Sequence, residues 1–244
     1  MVTARPDLSF AVMKMCQFNN KPGRLHFQAV RQMMLFMRDT QDEGMYFWRT
    51  KPHKSLPIAP HPVLRKDTYI LEKRKEHDTA FQLYAMCDSD WATDTSHRKS
   101  VSGICILWAG AAVIYKSNYQ KANALSSTEA EFYALCDAGK LILYVRSILE
   151  ELGLEQEYAT PVYEDNQGCL LMVNSGQPSK RTRHLDNRQF AILDWVETDL
   201  LEVIRVSTKD NTPDGLTKSN AKILFHRHNQ ILMGKHRPKY HNGY

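Results

Sequence analysis

Apolar positions recur along the chain with two different periods, and the change of period divides it. Leu8, Ala11, Val12, Met15 and Phe18 stand at helical spacing, and Phe27, Val30, Met33, Met34 and Met37 repeat it after Asn20-Lys-Pro-Gly. Residues 1–50 are therefore expected to form a small helical segment, closing on a short strand at Met45-Tyr-Phe-Trp. The pattern is lost over residues 51–80, where prolines and then a dense charge run predict a linker. From residue 83 the period drops to two. Strands are expected over 83–91, 101–108 and 112–117, the last two joined by a tight Ala109-Gly110 turn and so antiparallel. Helical spacing returns at Leu135, Ala138, Ile142, Val145, Leu149 and Leu152, on a helix closed by Gly153. A strand over 160–164, helices over 169–173 and 184–199, a strand over 201–207 and a short helix from Asp214 follow. Three meandering strands and then helix-linked strands predict an α/β chain with a mixed sheet flanked by helices. Residues 221–244, rich in His, Lys and Arg, read as a basic C-terminal tail.

Bulk properties narrow this picture only slightly. The 244 residues suffice for one large domain, or a domain with an appendage, and 43% hydrophobic residues exclude general disorder. A net charge of +5 is compatible with a polyanionic partner. The five cysteines are scattered, without CxxC or zinc spacing, which favours a reducing compartment over secretion. No signal peptide is expected at Met1-Val-Thr-Ala-Arg-Pro. The most apolar run, 103–115, is shorter than the roughly 20 residues a bilayer requires, so no membrane partner is expected.

The acids change the picture more. Ser126, Ser127 or Thr128 can cap the long helix, and Ser126 with Glu129 has capping-box spacing. Glu131 precedes Leu135 by four residues and so lies on the buried stripe, whereas Glu129 is turned away by about 200°. A buried carboxylate needs a partner or a metal. Asp88 and Asp90 share a face at the end of the first strand, Asp165 closes the fourth strand, and Asp214 opens the last short helix. Singly, each is as readily a turn former or a cap. Together, carboxylates from four elements without His or Cys suit a hard cation, Mg²⁺ or Mn²⁺, acting on phosphate. Two such ions about 4 Å apart serve in-line displacement.

Several stretches also carry a resemblance: Cys87-Asp-Ser-Asp-Trp-Ala92, Arg98-Lys-Ser-Val-Ser-Gly103, Gln120-Lys-Ala-Asn-Ala-Leu-Ser-Ser-Thr-Glu-Ala-Glu131, Tyr163-Glu-Asp-Asn-Gln167, Arg181-Thr-Arg-His-Leu-Asp186 and Asp214-Gly-Leu-Thr-Lys218. In content, order and spacing they resemble the RNase H domain of copia-type LTR retrotransposon Pol polyproteins. Ala4-Arg-Pro-Asp-Leu-Ser-Phe-Ala-Val and Pro22-Gly-Arg-Leu-His-Phe-Gln-Ala resemble the end of the same family's reverse transcriptase, its thumb and connection.

The resemblance implies an RNase H-like five-stranded mixed sheet, three antiparallel strands plus two parallel. It implies an RNase H domain over 81–220, behind a reverse-transcriptase remnant over 1–50 and the linker 51–80. The implied activity is cleavage of the RNA strand of RNA/DNA hybrids, with Asp88, Glu131, Asp165 and Asp214 holding two Mg²⁺ or Mn²⁺ ions. Asp90 is an alternative to Asp88, and Glu129 to Glu131; both helical phase and the spacing to Ala134 favour Glu131. Asn166, Gln167, Ser127, Thr128 and Lys121, with Arg98, Lys99 and Lys116, are candidate nucleic-acid contacts. Many RNases H carry a His in the loop before the last Asp; here Ser207-Thr-Lys-Asp-Asn-Thr-Pro213 has none, leaving Lys209 as a substitute. His184 belongs to a family block, and a surface helix-start His is the plain alternative. The implied partners are the hybrid and a reverse-transcriptase polymerase domain, in a cytoplasmic virus-like particle or the nucleus. No polymerase motif is found. A non-catalytic nucleic-acid-binding or structural remnant is the main rival, and an integrase or resolvase of the same broad fold a weaker one.

Overall fold

The period-two stretch forms a single sheet. The structure is a computed structural model that describes residues 4–47, 58–59, 82–92, 98–175, 186–235 and 237–238. Strands β1 (Tyr84–Asp90), β2 (Val101–Trp108), β3 (Ala111–Tyr119), β4 (Thr160–Glu164) and β5 (Leu201–Arg205) lie in the order β3-β2-β1-β4-β5. The first three are antiparallel neighbours; β4 runs parallel to β1, and β5 parallel to β4. The β2–β3 hairpin turns on Ala109 (φ 51°) and Gly110 (φ 92°), two left-handed residues of the kind that match strand twist. A separate two-residue parallel pairing joins Ile58–Ala59 to Arg237–Pro238.

The helices are α1 (Ser9–Cys16), α2 (Arg24–Asp39), α3 (Ser127–Glu151), α4 (Gln167–Asn174), α5 (Asp186–Glu197), α6 (Asp214–Thr217) and α7 (Lys222–Leu232). Strand alternation sorts β1 between two cores. Leu83, Ala85 and Cys87 meet the α3 stripe of Phe132, Leu135, Ala138 and Ile142. Tyr84 and Met86 meet Leu216, Ile231 and Leu232 on the opposite face. Gly139 lets α3 approach α5, because a Cβ there would lie 2.5 Å from the Trp195 ring. Gly153, at φ 71°, turns the chain after α3. Leu152, expected on the buried stripe, is 66% exposed at that C-cap.

Two expected elements differ. Residues 45–47 form no strand; they run as coil, with the Tyr46 N–H donating to the Met233 carbonyl at 2.8 Å and Met45 against the second core. The expected basic tail contains α7, whose Ile231 and Leu232 cover the sheet's second face. Several of its polar residues form the outer side of an amphipathic helix, while His228 and Asn229 are buried. Most of the expected linker, and residues 181–185 with His184, lie outside the described residues.

Candidate metal centre

Parallel pairing of β1 with β4, in the register Ala85↔Val162 and Met86↔Tyr163, brings the carboxyl ends of both strands to one sheet edge. Asp88 lies two residues beyond Met86, and Asp165 two beyond Tyr163. Helix α3 begins over the same edge. Its N-cap is Ser126, whose Oγ accepts from the Glu129 N–H at 3.1 Å. Two side chains, buried Gln120 and partly exposed Trp91, seat this first turn. Gln120 Nε2 donates to Ser102 Oγ (2.9 Å) and to the Ala130 carbonyl (2.8 Å). Trp91 Nε1 donates to the Ala124 carbonyl at 3.1 Å. The next residue on the inner face is Glu131.

Asp88, Glu131 and Asp165 thus each offer an oxygen, and the three atoms lie within 4.8 Å of one another. Asp88 and Glu131 are buried and Asp165 is half-buried. Asp88 is held from the α6 side: its Oδ2 accepts from Thr217 Oγ1 at 2.5 Å and its Oδ1 from Asn211 Nδ2 at 3.4 Å. Glu131 Oε2 is buried without a hydrogen-bond partner. Asp214 lies outside the triad. It is buried on α6, and its Oδ1 is ion-paired with Lys218 Nζ.

Electrostatics show what the triad lacks. Burial, opposed by the Thr217 hydroxyl and assisted by the charges of Asp165 and Asp214, pushes Asp88 up to about 7. Burial and then the charges of Glu164, Asp88 and Asp165 push Glu131 well above the carboxylate range. An oxygen-only donor set with mutual repulsion and an orphaned buried oxygen fits a hard divalent cation.

Glu164 is a further buried carboxylate beside these, not singled out by the sequence. Its pKa is pushed up to about 8, mainly by burial, against the Asn166 N–H (3.0 Å) and the Cys87 thiol (3.2 Å), both of which donate to it. Alternation was the available signal, since Val162 and Glu164 share the face toward α3.

The alternatives separate. Asp90 is not in the triad. Glu129 is also outside it but, contrary to expectation, is buried: it accepts from the Leu125 N–H (2.8 Å) and the Tyr133 hydroxyl (2.5 Å). Arg188, 4.1 Å from the Tyr133 ring centroid, packs on that tyrosine. Glu129 is a capping acid.

Of the candidate nucleic-acid contacts, Asn166 caps α4 by accepting from the Cys169 N–H at 3.0 Å, and Thr128 Oγ1 donates to the same Asn166 oxygen at 3.5 Å. The starts of α3 and α4 therefore abut, and Gly168 is close enough that a Cβ would lie 2.7 Å from Thr128 Oγ1. Ser127, Gln167, Lys121 and Arg98 are exposed, and Lys99 is half-buried. Lys116 lies 3.9 Å from Asp137. The loop over 207–213 has no His of its own, but buried His228 of α7 reaches it, with Nε2 3.4 Å from the Lys209 carbonyl.

A five-stranded mixed sheet of this order, flanked by helices, is RNase H-like in fold. Over about nine tenths of its length, the chain is homologous to retrovirus-related Pol polyproteins of plant transposons. It is 32% identical over 219 residues to the polyprotein of transposon TNT 1-94 from Nicotiana tabacum, covering 89% of this chain and 14% of that protein. It is 27% identical over 221 residues to that of transposon RE2 from Arabidopsis thaliana, covering 91% and 13%. The chain thus spans about a seventh of the length of these relatives. No protein-family model matches. Among solved structures, LC11-RNase H1 in complex with an RNA/DNA hybrid is similar at 14% identity and a TM-score of 0.43, over 56% of this chain and 94% of that one. RNase H1 from Halobacterium salinarum NRC-1 is similar at a TM-score of 0.39, over 56% and 94%.

Proposed function

We propose that this chain is the RNase H part of a copia-type retrotransposon reverse transcriptase, an endoribonuclease that cleaves the RNA strand of RNA/DNA hybrids. The observation that carries this reading is the triad of Asp88, Glu131 and Asp165, with one Glu131 oxygen buried and unpartnered. Homology to transposon Pol polyproteins supports it. Asp88, Glu131 and Asp165 are the residues that would hold a divalent cation, and Asp214 is the further acid that would serve a second. Mg²⁺ or Mn²⁺ held there would supply the chemistry of an in-line hydrolysis, water activation and stabilisation of the leaving oxygen, which leaves 3′-hydroxyl and 5′-phosphate ends. Thr217 and Asn211 fix the Asp88 carboxylate. Gln120 and Trp91 hold the turn that carries Glu131. The exposed Ser127, Gln167 and Lys121 and the half-buried Thr128 and Asn166 are the side chains that would meet a hybrid, which presents phosphates and 2′-hydroxyls across its minor groove.

The test is incubation of the purified chain with end-labelled hybrid, single-stranded RNA and duplex DNA in Mg²⁺. Cleavage is expected of the hybrid's RNA strand alone, and Asp165→Asn is expected to abolish it with the circular-dichroism spectrum unchanged. An Asp165→Asn protein that cleaves like the wild type would sink the assignment. A second reading, a binding or structural remnant without turnover, is favoured by the engagement of Asp214 with Lys218 instead of with the triad. No cleavage at high protein concentration, with hybrid binding retained, selects that reading.

A further inference from the structure

Near the start of α5, Arg188 carries a charge that no described residue answers. Its guanidinium carbon stands 4.1 Å from the Tyr133 ring centroid, over the ring's face, and the residue is half-buried. Among the described residues, no carboxylate pairs with it and no acceptor takes its side-chain N–H groups. The platform beneath it is fixed. Tyr133 is 8% exposed, and its hydroxyl donates to Glu129 Oε1 at 2.5 Å. Glu129 Oε2 in turn accepts from the Leu125 N–H at 2.8 Å, just before α3 begins. The guanidinium is therefore tied, through one ring and one carboxylate, to the turn that opens α3. It lies off the acidic centre, because Tyr133 is turned about 200° round α3 from Glu131. Packing of α5 on α3 does not require a charge there. Cys136 Sγ already donates to the Arg188 carbonyl at 3.6 Å, and an apolar side chain would cover Tyr133 as well. What arginine adds is a fork of N–H donors, held in place before any ligand arrives.

We propose that Arg188, pinned on Tyr133, grips a backbone phosphate of the bound nucleic acid. This rests on the RNA/DNA-hybrid reading above. A phosphate suits the position because its oxygens accept two parallel N–H bonds from one guanidinium. Stacking has already removed much of the side chain's rotamer freedom, so less is lost on binding. Arg188 and the triad lie on different faces of α3, so the phosphate gripped is not the one at the metal centre. A helix with its side chains is about 10 Å across, and one bound duplex spans both. The contact sets the register of the duplex against the triad.

Fluorescence anisotropy of the full chain with a labelled RNA/DNA hybrid tests this, in EDTA to prevent turnover and over a range of KCl concentrations. Each phosphate neutralised contributes about 0.9 to the slope of log affinity against log salt on B-form duplexes. Arg188→Gln is therefore expected to weaken binding on the order of tenfold at low salt and to flatten the slope by about one. Arg188→Met, which keeps the apolar stem over Tyr133, should match it. Lys222→Gln removes the same charge from an exposed position on α7, on the sheet's opposite face, and should keep the wild-type slope. Arg188→Lys keeps the charge but not the fork, so affinity should fall with the slope nearly kept. Tyr133→Leu should do the same, and Arg188→Lys added to it should cost less than it does alone. A side chain that only packs α5 on α3 would lower the melting temperature without moving the slope. An Arg188→Gln slope equal to wild type overturns the proposal, and so does equal flattening in Lys222→Gln. If wild type cleaves the hybrid in Mg²⁺ while the Arg188→Gln slope is unchanged, the contact alone fails. If wild type neither binds nor cleaves the hybrid, the hybrid reading fails and the contact with it. Circular dichroism checks that each variant is folded.

Discussion

The sheet region and the N-terminal helical pair spend similar apolar sequence in opposite ways. In the sheet region, alternating strands and the α3 stripe bury their apolar residues almost completely; Phe132, Leu135, Ile104 and Ile106 are at 0% exposure. In α1 and α2 no residue is buried. Leu25 (76%), Phe27 (66%), Met34 (65%) and Met37 (46%) stand open on α2. Amphipathic pattern alone produces helix in both places. A core forms only where a second element faces the stripe, as β1 and β2 face α3. The same difference governs charge: α1 and α2 bury no carboxylate, whereas the sheet region desolvates several.

The widest gap between the regions should appear in packing. Phe132→Ala empties a fully buried position between α3 and the sheet. It is expected to lower unfolding free energy by about 3–5 kcal/mol. Denaturant titration measures this, and a loss below about 1 kcal/mol would mean that the first core is not close-packed.

The next contrast is electrostatic. In the metal-free protein, burial first of all pushes Asp88 up to about 7 and Glu164 up to about 8, whereas an unfolded carboxyl titrates near 4. The folded state therefore holds protons that the unfolded state has released. These groups cost no stability below about pH 4, and stability falls as pH rises from there through about 8. With chelator present, the melting temperature should decline from pH 5 to pH 8. Mn²⁺ at about one hundred times its pH 8 dissociation constant should stabilise by about 2.7 kcal/mol at pH 8, and the same concentration should stabilise less at pH 5. Hydrogen exchange should place the protection in β1, β4 and α3, with α2 unmoved. A melting temperature that is flat or rising over this range in chelator would contradict the raised carboxyls.

How much of this was legible in the sequence depended on where each residue's neighbours come from. The strands were legible because alternation is local, and Glu131 because its phase with Leu135 is local too. Glu164 carried the same local signal but was read only as the last residue of a strand. Glu129 was misplaced because its cover, Tyr133 with Arg188 upon it, depends on α5, far along the chain. Helix α7 was hidden by its own polar face, since its need for burial becomes clear only once the second face of the sheet exists. Asp214 carried no sign of its attachment to Lys218 beyond a four-residue spacing, which is common on solvated helices.

A smaller effect is expected at the cap. Ser126→Ala removes the oxygen that accepts the Glu129 N–H at the start of α3. A loss of about 1 kcal/mol is expected by denaturant titration, as for other N-caps. Cleavage should fall further than this loss of stability explains, because the same turn aims Glu131. Stability and cleavage falling in proportion would show that the cap matters only to folding.

The smallest effect is expected where the comparison began. Met34 lies on α2 with 65% of its surface exposed, so Met34→Ala removes little that folding had buried. Alanine also has a slightly higher helix propensity than methionine, which offsets part of the remainder. The change should stay within about 0.5 kcal/mol in denaturant titration of this chain. The same substitution in the sheet region, Met86→Ala at 2% exposure, is expected to cost about 2–5 kcal/mol. Measured side by side, the two methionines test whether exposure sets the cost. If Met34→Ala cost as much as Met86→Ala, α2 would be packed in solution against something that the described residues do not include, and the contrast between the two regions would vanish.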